Sequence, residues 1–117
     1  MARFEARTFE GAGETRVVLS GDCDLSVRDE LLTVLDAALT AAGGSHPRVV
    51  VDLAEVGFLD STGVHGLITA HHAALGRHGR LVVVNAKGAV AAVLDITGVA
   101  GLLSDAAPPA VERRTGG

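Results

Sequence analysis

The chain has 117 residues, enough to bury a core within one domain without disulfides or a structural metal. Hydrophobic residues make up 48% and aromatics only 3%, with no Trp or Tyr, so the core must be built from Val, Leu, Ile and Ala. The net charge of -4 and the scatter of the ten Lys and Arg argue against direct nucleic-acid binding, which needs a clustered basic surface, and no apolar run is long enough to span a membrane.

The opening MARFE does not resemble a secretion signal, and the lone Cys23 can form no internal disulfide; both fit a cytoplasmic protein. RFEARTFE (3–10) alternates Phe4, Ala6 and Thr8 against Arg3, Glu5 and Arg7, and TRVVLSG (15–21) follows the Gly-rich turn GAGE. This is the pattern of a β-hairpin. Ser26, followed three residues later by Asp29, resembles a capping box, and Leu31, Leu35, Ala38 and Ala42 recur at helical spacing until Gly43-Gly44. A first helix is therefore expected at about 26–42.

After Pro47, RVVVDL is a continuous apolar run of the kind found in strands buried on both faces. Val64, Leu67, Ile68, His71, Ala74 and Leu75 mark a second helix over about 61–77, and RLVVVNA (80–86) is a further strand. Val90, Val93, Leu94 and Thr97 define a shorter helix ending at Gly98, after which GLLSD (101–105) suits a last short strand. PPAVERRTGG (108–117) reads as a short flexible tail behind a domain spanning 1–107. A hairpin followed by alternating helices and strands predicts an α/β fold: a mixed sheet with parallel βα units and helices packed on it.

The order of elements puts FLDSTG (58–63) where a strand meets a helix N-terminus. Asp60, Ser61 and Thr62 suit helix capping there, and Gly63 allows close backbone approach. Catalytic readings fail on spacing. A nucleophile elbow needs Gly two residues before the Ser, where Leu59 stands, although Gly63 matches. An aspartic-protease site needs Asp followed directly by Ser or Thr and Gly, and a second such carboxylate. The AKG at 86–88 is no phosphate-binding loop. His65, His71, His72 and His78 are spaced six, one and six apart, not the three or four of ligands sharing a helical face, so no metal is expected; His71 suits the apolar face and the others solvent. GRHG (76–79) has the spacing of an RNA-clamping loop in a chain without the rest of that module, and reads as a turn. Cys23 fits either a buried inert thiol or an exposed reactive one.

Three segments in order carry a resemblance. VVVDLAEVGFLDSTGVHGLITAHH, LSGDCDLS and VVVNAKGAVAAVLDITGVAGLL together resemble the STAS domain of stand-alone bacterial anti-sigma factor antagonists, over about residues 4–105. The resemblance implies a single STAS-like domain without cofactor or catalytic activity. It would bind an anti-sigma factor serine kinase in a partner-switching pathway that regulates transcription through a sigma factor. The Ser directly after the Asp of the Asp-Ser-Ser/Thr-Gly motif is Ser61 here; the kinase would phosphorylate it and so inactivate the antagonist, and a serine phosphatase would restore it. Asp24 and Asp60, with Thr62 and Gly63, would belong to the partner-binding surface. Asp22 and Cys23 replace the family's Glu-Leu, Thr62 its commoner second Ser, and Gly88 stands where Pro is frequent. The alternative is a STAS subunit without phosphorylation, serving as a structural adaptor in a stress-signalling or lipid-transport complex.

Overall fold

In the computed structural model, which describes residues 3–11, 13–98 and 103, the expected hairpin forms from β1 (Glu5–Gly11) and β2 (Glu14–Cys23). They pair antiparallel from Glu5 opposite Ser20 to Gly11 opposite Glu14. The chain turns at Gly13, whose φ of +75° is the left-handed conformation that favours glycine. A short 3-10 turn (Leu25–Val27) leads into α1 (Arg28–Ala42), then β3 (Arg48–Leu59), α2 (Ser61–Gly76), β4 (Arg80–Val84) and α3 (Gly88–Ile96). The sheet order is β1-β2-β3-β4, with β3 parallel to both β2 and β4. Each parallel pair is joined through a helix, so the hairpin is followed by two βαβ units as the sequence pattern predicts.

Alternation along the strands divides their side chains between two faces. Val17, Leu19, Val49, Val51, Leu53 and Leu81 point into one core with Leu31, Leu35 and Leu39 of α1, Val64 and Leu67 of α2, and Val90 and Leu94 of α3. Apart from Phe4 every member of this core is aliphatic or Cys. The opposite face carries Val18, Val50 and Val82 beside an ion pair between Arg16 and Asp52 at 2.6 Å. Burial alone would raise the Asp52 pKa, but the Ala54 amide and then the Arg16 and Asn85 side chains bond the charged form, and the net direction is downward. No described helix is long and apolar enough to cross a membrane.

Two strands run longer than the sequence pattern shows. β2 continues past Gly21 to Cys23, and β3 continues past Leu53 through AEVGFL to Leu59. The register against β2 shifts between Val18 and Ser20 and again between Gly21 and Asp22, so β3 carries two extra residues in bulges. Each bulge breaks the period of two and hides the strand. β4 stops at Val84, two residues short of the expected end, because Asn85 takes a φ of +61° and leaves the extended conformation. The strand expected at 101–105 and the tail at 108–117 lie outside the described residues, except Leu103, whose carbonyl accepts the Val83 amide at 2.7 Å.

Candidate functional site

β2 and β3 end side by side. Cys23 pairs with Leu59, and the Asp60 amide donates to the Cys23 carbonyl at 3.2 Å. Because the strands are parallel, both carboxyl ends open on the same edge, where open α/β sheets commonly place their sites. The next residues are both acids, and each caps the helical segment it begins. Asp24 Oδ1 accepts the Ser26 amide at 2.9 Å and the Ser26 hydroxyl, and Asp60 Oδ1 accepts the Gly63 amide at 2.9 Å.

This corrects one expectation about capping and decides between the candidates of another. The entry into α1 is held by Asp24, not by a box between Ser26 and Asp29; α1 itself begins at Arg28 behind Val27, which offers no side-chain cap. At α2 the cap is Asp60, and Ser61 is the first helical residue. Ser61 is exposed, and its hydroxyl has no hydrogen-bond partner among the described residues. Removing a carboxylate cap costs about 1 kcal/mol, so Asp60→Ala should lower the melting temperature by roughly 4 °C while Ser61→Ala leaves it unchanged. Thermal denaturation of the two variants checks this, and an equal loss from Ser61→Ala would return the cap to Ser61.

Gly63 is buried where α2 lies against the end of β2. A Cβ there would sit 2.7 Å from the Cys23 carbonyl oxygen and press on Leu59 Cδ1. Its role is close approach, as the sequence suggests, and it offers a partner no surface of its own. Thr62 is half-buried beside Ser61. The structure thus brings Asp24, Asp60, Ser61, Thr62 and Gly63 to one edge of the sheet.

Sequence reasoning missed four neighbours. Leu25, Arg28 and His65 line, with Ser61 and Thr62, an open depression of about 380 Å³, and Phe58 lies just before Asp60 in the chain. Leu25 is 69% exposed and Phe58 48%, among the most exposed large apolar side chains described. For Leu25 and Phe58 the signal available was position: both are large apolar residues within two of a capping Asp, where no regular face needs them.

Of the remaining candidates only His65 joins this depression. Cys23 is buried, and its thiol is pushed up to about 12 by that burial and then by the charges of Asp24, Asp22 and Asp60, so it is protonated and unreactive at neutral pH. His71 is buried on α2, with its pKa lowered chiefly by that burial against a hydrogen bond to the Leu81 backbone. His65, His72 and His78 are exposed, and no three His, Cys, Asp or Glu among the described residues are grouped to hold a metal ion.

A family model described as "Mlab, STAS domain" matches residues 8–104. Among solved structures, an anti-sigma factor antagonist from Mycobacterium paratuberculosis is similar with a TM-score of 0.71 and 25% identity, over 83% of this chain and 80% of that one. A sulfate transporter family protein from Wolinella succinogenes (TM-score 0.65, 20% identity, 83% and 76% covered) shares the fold. So does the Bacillus cell fate determinant SpoIIAA in its phosphorylated form (TM-score 0.64, 16% identity, 87% and 88% covered). No curated protein matches the chain significantly.

Proposed function

The chain belongs to the STAS domain family, and from that premise we propose that it is an anti-sigma factor antagonist switched by phosphorylation of Ser61. One observation carries the choice of residue: Asp60 performs the capping, which leaves the Ser61 hydroxyl exposed and unengaged at the carboxyl edge of the sheet. A residue needed for the fold would be occupied; this one is presented. The similarity to the mycobacterial anti-sigma factor antagonist supports the general role, and the phosphorylated state of SpoIIAA supports a fold that tolerates a phosphoryl group.

In this reading the chain is the substrate of a kinase and performs no chemistry of its own. Leu25 supplies an exposed apolar anchor beside Ser61, and Asp24 and Asp60 form a polar rim, the arrangement of a small recognition patch. The partner is an anti-sigma factor with serine kinase activity. Ser61 Oγ attacks the γ-phosphorus of ATP, the bond to the bridging oxygen of the departing ADP breaks, and the hydroxyl proton passes to a base of the kinase. A serine phosphatase returns the hydroxyl by hydrolysis.

The test is phosphopeptide mass spectrometry after incubation of the protein with ATP and the anti-sigma kinases of its host. Stoichiometric phosphate on Ser61, absent from Ser61→Ala, is the expected result. No phosphate with any of these kinases would overturn the switch and leave the constitutive STAS adaptor.

A further inference from the structure

We propose that Arg28 and His65 form a basic, hydrogen-bond-donating cradle that receives the phosphoryl group of Ser61 within this same domain, an inference that rests on Ser61 being the phosphorylated residue. Ser61 and His65 stand four apart on α2 and therefore share a face, with Cβ atoms about 5–6 Å apart. Arg28 opens α1, the neighbouring helix, and lines the same depression as both of them. Its side chain is exposed, and among the described residues its guanidinium has no hydrogen-bond or ion-pair partner. Arg77, at the end of α2, is by contrast already held by Asp36 and Thr40 of α1.

Charge explains why this site needs cations. A phosphoserine brings roughly -1.5 to -2 charges and three acceptor oxygens into surroundings that already contain Asp24 and Asp60. The carboxylates of Asp24 and Asp60 are engaged with backbone amides and cannot swing away without uncapping their helical segments. Among the described residues Arg28 and His65 are the only basic side chains lining the depression, and the planar guanidinium fork matches two phosphoryl oxygens at once. The volume of about 380 Å³ leaves room for the group. Phosphorylation then does more than add charge: it draws Arg28 over the depression and withdraws that cation from any acidic group of the partner.

The experiment installs phosphoserine at position 61 during translation, so that no kinase is needed, and follows the second ionisation of the phosphate by phosphorus NMR. In the otherwise native chain this ionisation should fall about 0.5 pH units below that in Arg28→Ala, with a smaller difference in the same direction for His65→Ala. Arg28→Lys should recover part of the shift, because a point charge without the fork remains. Titration curves that coincide in all four proteins would overturn the cradle. Both residues are exposed, and unchanged melting of the unphosphorylated variants shows that their fold is intact. Failure of host kinases to modify Ser61 would sink the switch without touching this measurement, and coincident curves would sink the cradle without touching the switch.

Discussion

Gly21→Ala should destabilise the domain by about 3 kcal/mol, a loss of roughly 10 °C in melting temperature for a chain of this size. Two effects add at this position. Gly21 has a φ of +85°, which a side chain adopts only at a cost of about 1–2 kcal/mol. A Cβ would also land on the Arg3 carbonyl, with the Phe4 amide nitrogen 2.9 Å away. Both obstacles are backbone, so the start of the chain must move, and Phe4, the single aromatic member of the core, moves with it. Gly13→Ala is the control: its φ of +75° imposes the same strain, but nothing lies within 4 Å of its Cβ. Denaturant melts should give about 1 kcal/mol for Gly13→Ala and clearly more for Gly21→Ala. Equal losses would show that the collision is relieved without cost.

Phosphoserine at position 61 should weaken binding to the anti-sigma kinase by about 100- to 1,000-fold, or about 2.7–4.1 kcal/mol. The unmodified site presents a neutral hydroxyl near two acids and beside the exposed apolar side chain of Leu25. A partner surface that fits it is apolar at its centre. Placing a dianion there leaves a charge that is either desolvated without a counter-ion or kept in water, where it prevents close packing. Ser61→Ala should bind within about threefold of the native chain, because it removes one unengaged hydroxyl and adds no charge. Calorimetric titration of the three proteins against the kinase decides the matter. Equal affinity of the phosphorylated and native forms would mean that the partner docks elsewhere.

Much of this architecture is legible in the residues because local pattern and tertiary role agree. Val49, Val51 and Leu53 face the core and Val50 the opposite face of a covered sheet, so the run reads as a buried strand. Leu31, Leu35 and Ala38 form the helical stripe they suggest. The site region is harder to read. In AEVGFL two exposed residues, Ala54 and Glu55, precede buried Val56, and two more, Gly57 and Phe58, precede buried Leu59. That spacing mimics a loop, and only the partner strand reveals it as a bulged ladder. Capping is ambiguous for a different reason: Asp24 competes with Ser26, and Asp60 with Ser61, and the backbone path rather than residue type decides which oxygen meets the free amides. Arg28 and His65 carry no motif; they meet Ser61 only because α1 and α2 start at the same edge.

The buried sulfur of Cys23 has a practical consequence. Its backbone carbonyl holds the Asp60 amide, its side chain lies under Gly63, and its thiol is protonated at neutral pH. A thiol reagent can reach it only when the packing around it opens, and the first turn of α2, seated on it at Gly63, is part of that cover. The chain therefore contains a single natural clock beside the site: under native conditions the alkylation rate counts the openings of the packing around Cys23, with no residue changed.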